Sequence, residues 1–145
     1  MYCDDNDDCF SNELNDLVAG GYITDTSRYV SPYDKRTVKA APGSKLTSKN
    51  TSYAYLGKGI KILPIREASG TPILIVKPWS LAKGEKMLVG YADGIVLPYP
   101  ELKNPNKLTC RAVVEKICKQ NNVPAEVKEI LLKNADEEDK ARKAE

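Results

Sequence analysis

The hydrophobic residues change their spacing along the chain, and this change separates a strand-rich middle from a helical end. Between residues 53 and 99, short apolar runs alternate with turn signals, a pattern that predicts β-strands joined by tight turns. From residue 109 onward, apolar residues recur every three or four positions, which is the spacing of one face of an α-helix. The pattern predicts an α+β fold with a small antiparallel β-meander.

Four strands are expected in the central segment. The first, over residues 58–67, has apolar positions that change parity at Leu63 and Pro64, which predicts a β-bulge there. Residues 73–76 form a continuous apolar run, so we expect that strand to be covered on both faces. Asp93-Gly94 predicts a two-residue hairpin between the last two strands. A meander of this size also fits a small SH3-like barrel, by analogy of fold alone.

The N-terminal part predicts one short helix followed by irregular chain. Ser11 is a suitable N-cap, Gly20-Gly21 ends the helix, and its apolar face is formed by Leu14, Leu17 and Val18. Residues 22–30 have a weak strand pattern. Residues 31–52 are rich in Ser, Thr, Lys, Pro and Gly, which predicts a long loop without regular structure.

Two helices are predicted at the C-terminal end. Thr109 can cap the first, and its apolar face recurs at helical spacing in Cys110, Val113, Val114, Ile117 and Cys118. Asn121-Asn122 interrupts the pattern, and Pro124 occupies a favoured first position of the second helix. Beyond Ala135 the sequence is almost wholly charged, so we expect a solvated helix end or a frayed coil.

The length of 145 residues corresponds to a single domain. Its expected segments are an acidic N-terminal arm with a short helix (1–30), a basic Ser/Lys-rich loop (31–52), the β-meander (53–100), and a helical hairpin with a charged tail (105–145).

Charge is segregated along the chain although the net charge is only +2. Residues 1–25 contain seven acidic and no basic residues, whereas residues 26–61 contain eight basic residues and one acidic residue. Asymmetry on this scale usually accompanies an electrostatic contact, either within the chain or with a partner.

The residue types that carry most enzyme chemistry are missing from the sequence. With no histidine, the chain lacks the usual nucleophile–histidine pairs, the metalloprotease motif and the commonest general base. Ser80-Leu81-Ala82-Lys83 matches S-x-x-K but falls in a predicted β-turn without its companion motifs. Asp4-x-Asn6-x-Asp8 resembles the start of a calcium loop but lacks its glycine and its bidentate glutamate. We expect a protein that is not an enzyme and needs no cofactor.

Four cysteines are present, at positions 3, 9, 110 and 118. Their spacings miss the close pairs typical of zinc sites, and disulfide frameworks belong mainly to secreted chains. The acidic N-terminus does not resemble a signal peptide, and no apolar run is long enough for a membrane span. These features predict reduced thiols, no metal, no membrane partner and a cytoplasmic location, which would be the host cytoplasm and assembled particle for a viral protein.

The leading hypothesis is a structural component of a multi-subunit particle, most naturally a phage or viral virion. Charged, Ser/Lys-rich segments of this kind gain order from partners, so other subunits, including copies of the chain itself, are the expected partners. The candidate interaction residues are the cations and aromatics of the basic stretch together with the lone tryptophan: Arg28, Tyr33, Lys35, Arg36, Lys39, Lys45, Lys49 and Trp79.

Two other functions remain open from the sequence. The stretch 26–61 interleaves tyrosines with lysines and arginines, a combination that can neutralise phosphates and stack on bases, so a nucleic-acid-binding accessory protein is the second hypothesis. A small inhibitor or adaptor of a host protein is the third. Trp79 is interpreted either as a lid on the core or as an interface anchor.

Overall fold

The computed structural model describes residues 29–30, 37, 39, 41, 50–60 and 65–143, with the backbone alone for 65 and 66. Short 3-10 turns lie at Pro78–Ser80 and Pro105–Lys107. The remaining elements, in chain order, are β1 (Tyr53–Tyr55), α1 (Ile65–Ala68), β2 (Pro72–Val76), β3 (Met87–Tyr91), β4 (Val96–Tyr99), α2 (Cys110–Gln120) and α3 (Ala125–Lys143).

The four strands form one antiparallel sheet in the order β1-β2-β3-β4. The expected α+β class and antiparallel meander are therefore confirmed. The sheet is open, with β1 and β4 at its edges, so the SH3-like barrel is not confirmed. The register aligns Ala54, Ile75, Val89 and Leu97 across the sheet on one face, which we call the inner face.

The predicted first strand, over residues 58–67, is wrong. The strand that pairs with β2 is Tyr53–Tyr55, and the chain then turns at Gly59, which has a positive φ of 83°. Ile65–Ala68 forms one helical turn instead of extended chain. The sequence has a proline at 64, directly before this turn, and proline favours helix starts because its φ is already fixed near the helical value.

A β-bulge is present, but in a different strand. The pairing of β2 with β3 shifts register between Pro72 and Leu74, so Ile73 is the extra residue. The bulge predicted at Leu63 and Pro64 lies outside the described residues. In β2, Ile75 and Val76 are buried, while Ile73 and Leu74 are only half-buried.

A tight hairpin joins β3 and β4 as predicted, but its loop has three residues, Ala92 to Gly94, instead of two, because Tyr91 pairs with Ile95. Gly94 has a φ of 87°, a conformation that glycine adopts without a steric penalty. Its backbone N–H donates to the carbonyl of Tyr91 at 2.9 Å. The Asp93 carboxylate accepts a hydrogen bond from the backbone N–H of Ile95 at 3.0 Å, which closes the turn.

The two long helices cover the inner face. Thr109 caps α2 as predicted, because its hydroxyl accepts a hydrogen bond from the backbone N–H of Ala112 at 3.1 Å. The predicted apolar face of α2 is buried in full: Cys110, Val113, Val114, Ile117 and Cys118. From α3, Leu131 and Ala135 are completely buried in the same core. Pro124 directly precedes α3 instead of taking its first position as predicted, and its carbonyl accepts a hydrogen bond from the backbone N–H of Lys128 at 2.9 Å.

Side-chain amides join the helices to the sheet. Asn134 is buried, and its Nδ2 donates to the backbone carbonyls of Leu56 and Lys58 at 2.7 and 2.9 Å. Asn121 Nδ2 donates to the carbonyl of Gly70 at 3.1 Å. These bonds satisfy backbone carbonyls at the end of the sheet where β1 ends and β2 begins.

Of the two expected forms of the charged C-terminal segment, the structure has the helix end and not the frayed coil, because α3 continues to Lys143. Asp139 accepts hydrogen bonds from the backbone N–H groups of Cys110 and Arg111 at 2.9 and 3.1 Å. A carboxylate there satisfies free donors and complements the positive end of the α2 dipole. Asp136 pairs with Arg111 at 2.6 Å.

Candidate interaction surface

The side of the sheet away from the helices, which we call the outer face, is built almost entirely from apolar side chains. The register places Tyr53 beside Val76, Tyr55 beside Leu74, Leu88 beside Pro98, and Gly90 beside Val96 on this face. None of these residues is charged. A sheet with one solvated face normally alternates apolar and polar residues, so an apolar outer face indicates a surface that contacts something.

The outer face is covered towards β1 and open towards β4. Val76 in β2 is only 4% exposed, whereas Leu88 in β3 is 44% exposed and Val96 in β4 is 61% exposed. Ile95 and Leu97, at 53% and 51%, are exposed on the opposite side of the same hairpin, because Leu97 pairs with Val89 of the inner face and Ile95 has the same parity. Leu88 and Val96 on one side, with Ile95 and Leu97 on the other, form what we call the hairpin patch. Single exposed aliphatic residues are ordinary on protein surfaces, but four on one hairpin make an apolar edge of the sheet.

The exposed edge of β4 is a poor template for another strand. The backbone N–H of Tyr91 donates to the carbonyl of Ile95, so by alternation Leu97 and Tyr99 direct their polar groups to β3. Val96 and Pro98 therefore direct theirs outward, and Pro98 has no N–H to donate. Proline on an edge strand is a common device against strand addition.

Opposite charges flank the hairpin patch. Asp93 is exposed at the tip, and Lys86 is exposed directly before β3 at the base. Lys86 has the same parity as Leu88, so it belongs to the outer face. The patch therefore has an apolar centre, an acidic tip and a basic residue at the opposite end.

Of the eight predicted interaction residues, the structure describes Lys39 and Trp79. Lys39 is exposed, while Arg28, Tyr33, Lys35, Arg36, Lys45 and Lys49 lie outside the described residues. Trp79 is half-buried and packs against the core, and the guanidinium of Arg142 lies 4.6 Å from the centre of its ring. This geometry agrees with the interpretation of Trp79 as a lid, held by a cation–π contact.

A cluster of charged and thiol groups lies where α2 begins. Cys110 is buried, and its pKa is raised strongly by burial and by the carboxylates of Asp139 and Glu138, while Lys77 acts in the opposite direction. Cys118 is also buried, and burial raises the pKa of its thiol to about 11, against a smaller opposing effect of Lys128. Both thiols are therefore protonated at neutral pH, which makes them unsuitable as nucleophiles.

The two buried thiols give a test of the packing around α2. In a chain carrying Cys3→Ser and Cys9→Ser, Cys110 and Cys118 should react with a thiol reagent at pH 8 about a hundredfold or more slowly than after denaturation, because only exposed thiolate reacts. Rapid labelling of the native chain would contradict the burial.

The free energy of unfolding should also fall as the pH rises from 9 towards 11, because the Cys118 thiol ionises at a lower pH in the unfolded chain than in the folded one. On the unmodified chain, all four cysteines should react with a thiol reagent after denaturation without reductant. A chelator should not change the melting temperature of this chain.

A groove of about 170 Å³ lies at the base of the hairpin, between Lys86, Tyr99 and Asn104. It is smaller than the ~300 Å³ at which the volumes of small-molecule binding sites begin.

No group of three or more Cys, Asp or Glu residues suited to a metal ion occurs in the part of the chain that the structure describes. Among the described helices, none has the length and apolar character needed to cross a membrane.

Comparison of the sequence with protein-family models gives no match, and comparisons with curated proteins and with solved structures give none either.

The sequence contained a signal for the hairpin patch. Ile95, Val96 and Leu97 follow the turn without any alternation of polar residues, a run that predicts a strand. The exposure of a strand depends on which elements cover it, and that information is tertiary. A continuous apolar run on a strand at the end of the meander could have been read as an exposed edge.

Proposed function

We propose that this protein is a structural subunit that binds neighbouring protein subunits through its hairpin patch. The observation that carries the proposal is the exposure of four large apolar residues on the two sides of one hairpin: Leu88 and Val96 on the outer face, and Ile95 and Leu97 on the other side. Their apolar surface has no charged residue in its centre. Burying such a surface against a partner is the main source of favourable energy in most protein associations.

The rigidity of the patch supports this proposal. The hairpin is fixed by the bonds of Gly94 and Asp93 in its turn and by the pairing of β3 with β2. A preorganised surface loses little conformational entropy on binding.

Site-specific photo-crosslinking in cells that naturally contain the protein tests the proposal. A photoreactive phenylalanine analogue at position 97, within the patch, should give one or a few discrete adducts of defined mass. The same analogue at Lys133, an exposed residue of α3, is the matched control and should give only background. The masses of the adducts, with and without nuclease, report whether the neighbour is protein or nucleic acid.

Adducts to protein at position 97 and not at 133 would support the assembly role. Labelling at position 97 that does not exceed the control would overturn it. Nuclease-sensitive adducts alone would instead favour the nucleic-acid hypothesis. In that case the charge-reversal variant of Lys35, Arg36 and Lys39 to glutamate should abolish a strongly salt-dependent complex with DNA or RNA.

A further inference from the structure

We propose that a second copy of this chain binds the outer-face part of the hairpin patch, Leu88 and Val96, outer face against outer face, with a two-fold axis that lies between the faces and runs perpendicular to the strands. The inference rests on the proposed function and names one partner for the outer-face part of that surface. It follows from three observations: the blocked edge of β4, the charges at the two ends of the hairpin, and the shape of the outer face.

Face-to-face packing is favoured over strand addition by Pro98. A second copy added edge to edge would need the outward donors of β4, and Pro98 removes one of them. The apolar side chains of the outer face, in contrast, point directly away from the sheet, as do those that form the interior of a β-sandwich. The exposed residues Leu88, Val96 and Pro98 are available for this packing.

The charges select the orientation of the second copy. An axis parallel to the strands would bring each Asp93 to the partner copy's equivalent aspartate and each Lys86 to its equivalent lysine, with repulsion at both ends. An axis perpendicular to the strands reverses the strand direction, so Asp93 of each copy meets Lys86 of the other. A two-fold interface contains every such pair twice, which doubles the effect.

The shape of the outer face fits the same orientation. The register places Leu88 and Pro98 in one row across the hairpin, and Gly90 and Val96 in the next. Reversal of the strand direction places the first row of one copy over the second row of the other. Leu88 then faces Gly90 and the Leu74 side chain that lies beside it, and Val96 faces Pro98, so apolar groups meet apolar groups.

The size of the surface sets the expected strength. Four strands about 4.8 Å apart and ~17 Å long present a face of roughly 300 Å², part of which is already covered near β1. A stable interface buries about 800 Å² on each partner. The dimer should therefore be weak, with a dissociation constant of about 10–300 μM, unless other subunits reinforce it.

Sedimentation equilibrium of the purified full-length chain between about 5 and 500 μM tests the inference. The wild-type chain should pass from monomer to dimer over this range, with no larger species. Val96→Asp should raise the dissociation constant at least about tenfold, because it places a charge in the centre of the buried surface. Ala125→Asp, an exposed substitution at the start of α3, is the matched control and should leave dimerisation unchanged.

Charge reversal identifies the partner as a second copy in the stated orientation. Lys86→Glu should raise the dissociation constant about threefold to tenfold, because it opposes Asp93 twice in each dimer. Adding Asp93→Lys to the same chain should restore most of the wild-type value. Since Asp93 also closes the turn, thermal melts must show that the double variant is folded at the temperature used. A second double variant, Lys86→Glu with Asp93→Asn, keeps a hydrogen-bond acceptor in the turn. It should recover dimerisation in part.

A chain that remains monomeric up to ~500 μM would overturn the inference, as would a double reversal that is folded and still monomeric. Dimers that Val96→Asp does not weaken would place the contact elsewhere and would overturn it too. These failures are distinct from failure of the assembly role. Crosslinks from position 97 to a different protein, combined with a monomeric purified chain, would retain the assembly role and exclude only the second copy.

Discussion

Replacing Asn134 by aspartate should lower the free energy of unfolding by about 3 kcal/mol or more, one of the largest effects we expect from a single isosteric change. The Asn134 amide donates two hydrogen bonds, to the carbonyls of Leu56 and Lys58, from a side chain that is 5% exposed. Aspartate has the same shape but offers only acceptors at neutral pH. It would leave both carbonyls unsatisfied and place a charge beside them.

The pH dependence of this variant has a definite sign. Burial and the two facing carbonyls should raise the pKa of the introduced carboxyl, so its protonated form, which can donate one hydrogen bond, is favoured in the folded state. The loss of stability should therefore be smallest near pH 4 and should grow as the pH rises through the raised pKa.

Urea denaturation followed by the fluorescence of Trp79, the only tryptophan, measures the effect. Lys133→Ala, on an exposed position of the same helix, is the control and should change the midpoint little. Asn134→Ala should be intermediate, because it removes the donors without adding a charge. Equal stability of the aspartate variant and the wild type at pH 7 would show that these bonds do not hold α3 to β1.

Local chemistry explains which parts of the fold the sequence could predict. The hairpin at Asp93-Gly94 and the cap at Thr109 depend on residues within three positions of one another, and both are present. The apolar face of α2 repeats at helical spacing and is buried in full. Each of these features is determined by neighbouring residues, so no knowledge of tertiary contacts is needed.

The first strand was missed because its evidence is not local. Tyr53–Tyr55 contains no aliphatic run, and it is a strand because it pairs with β2, which lies about twenty residues further along the chain. Residues 58–67 have the stronger strand pattern, but Gly59 turns the chain and Ile65–Ala68 is helical. Tertiary pairing commonly overrides intrinsic strand preference.

The candidate surface was missed for a similar reason. The sequence drew attention to its charged stretch, where the segregation of charge is large, and not to Ile95, Val96 and Leu97. Hydrophobic patterns identify residues that tend to be buried, but they do not show which face of a sheet is left uncovered. The open side of β4 becomes visible only when the helices are placed on the inner face, where Tyr99 hydrogen-bonds to Gln120 of α2.

Ending the chain after Ala135 should lower the free energy of unfolding by about 3–5 kcal/mol, although the removed segment is almost wholly charged. The segment contributes the carboxylate of Asp139 to the N-terminus of α2, the ion pair of Asp136 with Arg111, and the cation–π contact of Arg142 with Trp79. The Asp139 bonds account for the larger share, because that contact is partly buried and charge-assisted, whereas an exposed ion pair is worth about 1 kcal/mol at most.

The matched control is a chain that ends at Lys143, which keeps all these contacts and should unfold at the wild-type urea concentration. Asp139→Asn separates the effect of charge from that of helix length. It keeps one acceptor and should cost about 1–2 kcal/mol, less than the truncation, because the interaction with the α2 dipole is lost while one hydrogen bond remains. A truncated chain as stable as the control would mean that the charged segment is solvated, as its composition suggested. A large loss would show that α3 holds the start of α2 in place, and with it the core that supports the sheet and its exposed hairpin.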